Sequence, residues 1–448
     1  MHDGLSPDDV VDRRARRASP PTQPAAVRWH AGSWTKLLWC ALIGGAVHLG
    51  LWQISEPPTL FSDFYKAYFP AGEVLWETGW RASFPFTEVG AGGFVNVPVI
   101  GWLFVPLVPL GEEVAGWVFL AIGAAATATA YVLLTRMTRP EAGAAASLLL
   151  LFLLNGPLIN SLREGNTTHF ILLMLILALG LLQRRSDYAA GVLLGVCAVI
   201  KLPLLLYGIY FLLRRRWLVV AGGASAIIAV LLLSVATFGL TNNVGWFDCC
   251  IEPFLDGIIP AFNVQSIDGF AMRLLTGTSH LANWDPIDPP AAYKVIRLCI
   301  FAAILAAACL VTWRAGRHEP AGLHSERSRG QDMLEFALVL TLALVLSPIS
   351  WSHYYLLLLL PWGLYLGGQL PLAADAMARR LVWASIGLSS LPIVMLPLQP
   401  DVLGEVAART LISACFFGGM AMLLALLRGL HLLGKPPARA GMRAHVAS

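Results

Sequence analysis

The sequence predicts an all-α polytopic membrane protein. Three observations carry that reading. The chain of 448 residues is 57% hydrophobic and only 13% charged, whereas soluble domains carry about 25% charged residues. Its mean hydropathy is +0.68. Apolar runs of about 18 to 25 residues, enough to cross a hydrocarbon core of about 30 Å, recur along nearly its whole length. The net charge of +4 says little alone, because in a membrane protein the placement of charge matters more than its sum. The 7 cysteines form no CxxC pair and show no metal-ligand spacing, and most lie in apolar runs as small core residues. Nothing in the composition points to nucleic acid.

Residues 1–35 are rich in Arg, Pro and Asp and read as a disordered basic tail. The apolar run Lys36 to Ile54 is long for a signal core and lacks an A-x-A cleavage site, so it reads as a retained anchor. Residues 36–430 then form a single transmembrane domain, and 431–448 a second tail. The expected spans are 36–54, 113–135, 140–160, 166–183, 188–201, 203–213, 217–240, 291–313, 332–350, 353–371, 380–398 and 406–428, about twelve crossings. The connections then alternate in charge. One set holds most of the 31 Lys and Arg, including Arg184/Arg185, Arg214 to Arg216 and Arg314 to Arg329. The other holds most of the 27 Asp and Glu. The excess of Lys and Arg makes the first side cytoplasmic and puts both tails there.

Two segments are irregular. Asn96 to Gly111 is apolar but short and carries three prolines, so it reads as a helix lying in the outer interface or dipping part-way in. The spans 188–201 and 203–213 are short and flanked by arginines, so they form a hairpin with its tip at Lys201-Leu202-Pro203. Pro203 lacks an N–H and turns its predecessor away from helix. Broken helices in a membrane need protein or water over the freed backbone, so a cavity is expected near Lys201. Two sizeable outer loops remain, 55–112, with a helical segment after the first span, and 241–290.

With this topology the notable polar residues converge on the outer surface: Asp63, Arg163, Asn166, Lys201, Asn263, Gln265, Ser266, Ser350, Trp351 and His353. Bland readings stand beside each. Asp63 could cap the helix that follows, Lys201 could snorkel, Arg163 could pair with Glu164, and Tyr65 and Tyr68 could belong to an interfacial aromatic belt. Ionisable groups at membrane depth are costly, which favours function for the cluster. One carboxylate can accept a proton late, as a bond to carbon forms. Lys201, Arg163 and His353 could stabilise charge on a leaving phosphate. A lipid-linked phosphate would enter sideways between helices. Together these groups suit transfer of a sugar from a lipid phosphate. The alternative is a flippase or transporter of lipid-linked sugar, which needs a polar path through the membrane; a non-catalytic envelope scaffold is a further option. No Asp-x-Asp pair suggests a metal, and no cofactor is expected.

The ordered motifs SDFYKAYFPAGEVL, NVPVIGWLFVPLVPL, REGNTTHFILLMLILAL, AGVLLGVCAVIKLPLLLYGIYFLLRRRW, NVQSIDGF and SPISWSHYYLLLLLP resemble glycosyltransferase family 87 of the GT-C superfamily. The likeness runs over roughly residues 36–370. Departures include Asn96-Val97-Pro98 for an aromatic-Pro-Pro start and Asn166 where Gln is usual. The resemblance implies a GT-C fold, a polyprenyl-phosphate sugar donor, and an inverted, α-linked product, with mannose the expected sugar. It implies Asp63 as general base and Lys201, Arg163 and His353 on the donor phosphate. Tyr65, Tyr68, Asn166, Asn263, Gln265, Ser266, Ser350 and Trp351 are the expected substrate contacts. The acceptor would be a glycolipid or polysaccharide hydroxyl, reached at the outer face of the inner membrane.

Overall fold

The computed structural model describes residues 39, 41–47, 49–50, 60–79, 93–316, 326–392, 394–395 and 398–435. The first expected tail, residues 436–448 of the second, the middle of the first outer loop and most of the loop after Arg314 lie outside the described residues. The first expected span is described only at 39, 41–47 and 49–50, which are helical. Among the described residues there is no strand; two isolated bridges, Ile258 with Ile287 and Val264 with Trp351, are the nearest approach to one.

The helices follow the apolar runs. After a π-helical turn, Phe64–Tyr68, comes α1 (Phe69–Thr78). Next are α2 (Glu112–Thr138), α3 (Ala142–Leu154), α4 (Gly156–Arg163) and α5 (Thr168–Gln183). The hairpin is α6 (Asp187–Ile200) and α7 (Leu206–Leu213), followed by α8 (Trp217–Cys250) and α9 (Ile267–Thr276). The C-terminal part contains α10 (Ala291–Gly316), α11 (Glu326–Leu346), α12 (Leu359–Leu366), α13 (Ala376–Ser389), α14 (Val402–Arg409) and α15 (Ala414–Leu433).

Four helical stretches, Glu112–Thr138, Trp217–Asp256, Ala291–Gly316 and Val402–Leu433, are long and apolar enough to cross a membrane. A fifth arises if α3 and α4, bent by 45°, form one span. The larger number expected from the sequence rests on shorter or broken helices such as α5, α6 and α7. The chain is a polytopic all-α membrane protein.

Local chemistry explains the breaks. Asn96 to Gly111 forms two 3-10 segments, Pro98–Leu103 and Val105–Leu110, instead of the single helix expected. Pro106 and Pro109 lack the N–H groups that a continuous helix would use. Both segments pack on α1. The hairpin breaks where expected: Lys201 is extended, at φ −133° and ψ 90°, and Leu202–Leu205 is a 3-10 turn. The kink in α8 falls at Gly239, whose φ of 77° suits glycine, at the end of the expected span.

α6 packs on α8 through small residues. A Cβ on Gly222 would stand 2.1 Å from the Tyr188 carbonyl oxygen, and one on Gly191 2.1 Å from that of Val219. In lipid, apolar surface drives no association between helices, so close backbone approach supplies the packing. The core lies around α11, α12 and α15, where Trp362, Tyr355, Leu340 and Leu426 are fully buried. Trp362 donates its indole N–H to Ser385 Oγ at 3.1 Å, so its polar edge is satisfied.

Candidate active site

The segment after the first span docks by its backbone on the turn between α4 and α5. Phe61 N–H donates to the Arg163 carbonyl at 2.7 Å, and Asp63 N–H to the Glu164 carbonyl at 2.9 Å. Phe61 takes φ +62°, a left-handed conformation that costs an aromatic residue energy. Burial at 1% exposure, with edge contacts to Tyr65 and Trp117, holds it there. Gly165 turns at φ +70°, and a Cβ on it would meet Phe64 Cβ at 2.6 Å. Only glycine allows this approach.

The turn aims one amide at one carboxylate. Asn166 Oδ1 accepts from Thr168 N–H at 3.0 Å and from Thr168 Oγ1 at 2.7 Å. Its Nδ2 is thereby turned outward and donates to Asp63 Oδ2 at 2.8 Å. Glu164 stands beside Asp63, and Asp63, Glu164 and His353 each offer a ligand atom, all within 4.8 Å of one another. These three are the described residues that could hold a metal ion. Burial raises the Asp63 carboxyl; the Asn166 bond, Lys201 and Lys66 oppose it. Glu164 is pushed up to about 8 by burial and the Asp63 charge, with Arg163 and Asn160 pulling it down. The two acids compete for one negative charge.

Lys201 and His353 complete the arrangement. Lys201 Nζ lies 4.4 Å from the centre of the Tyr354 ring and forms no ion pair among the described residues. His353 sits in the 3-10 segment Ser352–Leu358, after the SPISW run. Its Nδ1 is 3.9 Å from Glu164 Oε2, too far for a hydrogen bond, and its buried Nε2 has no hydrogen-bond partner among the described residues.

These groups line a cavity of about 570 Å³. Asp63, Tyr68, Glu164, Asn166, Lys201 and His353 supply much of its polar side. Leu206 and Ile209 of α7, Phe301 and Leu305 of α10, and Leu342 and Leu346 of α11 supply an apolar side. Ile209 is 56% exposed on the molecular surface, so that side reaches the outer boundary of the helix bundle. The cavity expected near Lys201 is present.

Of the other expected site residues, Tyr68, Asn263 and Trp351 line the cavity. Tyr65, Arg163, Gln265, Ser266 and Ser350 do not. Arg163 donates to Asn160 Oδ1 at 2.6 Å and lies 3.7 Å from Glu164, so it braces the turn instead of facing the cavity. Tyr65 packs on Phe61 and Phe64. Gln265 donates its amide to the Phe262 and Ile412 carbonyls and accepts from Phe416 N–H. Ser266 caps α9 through Gly269 N–H at 3.0 Å. The Ser350 carbonyl accepts from Gln265 N–H at 2.6 Å, and Ser352 N–H donates to the Asn263 carbonyl at 2.7 Å. This short pairing presents Asn263 and Trp351 to the cavity. Buried Arg273 holds the same loop from behind through the Ala261 and Val264 carbonyls.

The cavity adds Glu164, Asn96, Trp246 and Tyr354 to the expected set. Glu164 was visible as an acid beside Arg163, and pairing with that arginine was the simpler reading of it. Tyr354 adjoins His353, which is a local signal. Asn96 opens a segment noted for its prolines, and Trp246 comes from a distant segment and carries no such mark.

The family model for glycosyltransferase family 87 matches residues 94–348. Two relatives come from Mycolicibacterium smegmatis. One is a polyprenol-phosphate-mannose-dependent alpha-(1-2)-phosphatidylinositol pentamannoside mannosyltransferase, 32% identical over 209 residues, which cover 46% of this chain and 44% of the relative. The other is a polyprenol-phosphate-mannose-dependent alpha-(1-2)-phosphatidylinositol mannoside mannosyltransferase, 28% identical over 229 residues, 50% of this chain and 46% of the relative. The chain thus spans under half the length of the curated relatives it matches. No solved structure gives a significant match. With more than half of its length matched by the family model, the chain belongs to glycosyltransferase family 87.

Proposed function

We propose that this chain transfers mannose from a polyprenyl-phosphate donor to a hydroxyl of a glycolipid acceptor at the outer face of the membrane. The donor follows the names of both relatives, and a phosphatidylinositol mannoside is the acceptor class those names favour. The observation that carries the reading is one cavity with an oriented carboxylate, two basic side chains and an apolar side reaching the bundle surface.

In this reading the donor's isoprenoid lies along Leu206, Ile209 and Leu342, and its phosphate rests near Lys201 and His353. The acceptor oxygen attacks C1 of the sugar from the face opposite the phosphate. The C1–O bond to phosphate breaks and its electron pair leaves with the phosphate oxygen. The acceptor proton passes to Asp63, which Asn166 keeps aimed at the cavity. Inversion at C1 gives the α-linked product. Lys201 and His353 stand where they can donate hydrogen bonds to the phosphate oxygens, and no cofactor is invoked. Arg163 acts on this site only by bracing the turn that holds Glu164.

The test uses full-length purified protein, radiolabelled polyprenyl-phosphate mannose and a phosphatidylinositol mannoside. Asp63→Asn should lower transfer by roughly a hundredfold or more while thermal unfolding stays near that of the parent. Near-normal turnover by a folded Asp63→Asn protein would refute the assignment.

A further inference from the structure

A second cavity, of about 710 Å³, lies at the far end of α5 from the candidate site. The α5 helix begins at Thr168, beside Asn166, and ends at Gln183 on this cavity's wall. At about 1.5 Å per residue the two sites are separated by roughly 24 Å along that helix. The second cavity therefore belongs to the opposite end of the bundle.

Four arginines converge here from separate parts of the chain: Arg185 after α5, Arg214 after α7, Arg216 before α8 and Arg329 on α11. Arg185 has an interaction of its own, and acids hold Arg214 and Arg216 without using all their donors. Arg216 gives Nε and one Nη to the Asp187 carboxylate, at 3.3 and 2.5 Å. Arg214 Nε lies 3.1 Å from the buried Glu335 carboxylate, which also takes the Tyr210 hydroxyl at 2.7 Å. A guanidinium carries five N–H groups, so each retains donors after these contacts. Four guanidinium charges face Asp187, Asp332 and Glu335, which leaves a positive balance. The wall continues in Phe211, Met333 and Leu218, and Leu218 is 63% exposed beside Trp217 at 62%. An arginine cluster that grades into exposed apolar surface matches a headgroup above an acyl chain.

We infer that this cavity binds the phosphate of an anionic lipid, separately from the sugar-transfer site. The acids hold the arginines in place before the lipid arrives, and the remaining N–H groups take the phosphate oxygens. The acyl chains lie along Leu218 and its exposed neighbours. Charge-assisted bonds from arginine make the contact selective for anionic over zwitterionic lipid.

The probe is phosphatidylglycerol, which lacks the inositol of the proposed acceptor. Delipidated full-length protein in detergent is titrated with it while thermal unfolding is followed, with phosphatidylcholine and inorganic phosphate as parallel arms. Phosphatidylglycerol should raise the unfolding temperature saturably, and Arg185→Gln/Arg329→Gln should weaken that effect roughly tenfold. Phosphatidylcholine protecting equally well, or the double variant binding like the parent, overturns the inference. Protection by inorganic phosphate alone, equal to that of the lipid, overturns the lipid assignment in favour of a free anion. If the double variant folds poorly, lipid retention by Arg329→Gln in native mass spectrometry decides, since that side chain is exposed. Retention equal to the parent's overturns the inference, and reduced retention supports it.

Discussion

Glu164 predicts a dependence of stability on pH. Its carboxyl stands beside Asp63, and folding lifts it from an ordinary value of 4.5 to about 8. Between those values the folded protein binds more protons than the unfolded chain, so stability falls as pH rises through about 4.5 to 8. Glu164→Gln removes one of the two acids and most of that slope. Unfolding temperatures measured from pH 5 to 8 should fall for the parent and stay flatter for the variant. Parallel curves would mean that Asp63 and Glu164 do not share their charge. Asp63, Lys201 and His353 were legible in the sequence, because an ionisable group at a span boundary stands out in an apolar chain. Glu164 was less so, because its neighbour Arg163 offered it an obvious partner. Gln265 and Ser266 were assigned to substrate, yet their side chains bond to the chain itself. Their partners include Ile412 and Phe416, about 150 residues away, and no local pattern shows those.

Helices here meet where side chains are smallest. Gly222 has Tyr188 O where a methyl group would go, while nothing lies within 4 Å of a Cβ on Gly208. Gly222→Ala should therefore cost about 1–3 kcal/mol, read as a lower unfolding temperature in detergent. Gly208→Ala should be near neutral and serves as its control. Equal effects would show that α6 and α8 are not in contact through that glycine. The hairpin break at Lys201 was legible, since Pro203 forces it by local chemistry. The glycine-lined crossing was not, because an interface is a property of two segments and periodicity reports on one. The 3-10 form of Pro98 to Leu110 lay between these cases. Its prolines marked an irregular segment, yet they did not choose between a bent helix and two tight turns.

The molecule as a whole has two ends, and their chemistry differs. Acids, aromatics and the larger loops gather near Asp63, and arginine-rich turns gather near Arg214. Charge asymmetry was legible from the sequence, and the excess of Lys and Arg on one side predicts an orientation for the chain. Cysteine labelling in cells tests that orientation. A cysteine replacing exposed Glu73 on α1 should react with an impermeant maleimide from outside. One replacing exposed Arg185 should react only after the membrane is permeabilised. The reverse pattern would put the candidate site inside. The number of crossings was less legible than the class of fold. Short and bent helices such as α3 with α4 do not declare whether each passes through the bilayer.

The apolar side of the first cavity has a practical consequence for enzymology. Leu206, Ile209 and Leu342 do not discriminate one hydrocarbon from another, and Ile209 lies open to whatever surrounds the bundle. A surfactant tail is thus a rival guest for the room that the proposed donor's isoprenoid would take. The apparent KM for donor should climb with micelle concentration while kcat holds steady, and reconstitution into nanodiscs should restore it. A KM indifferent to micelles would mean that the isoprenoid travels by some other road.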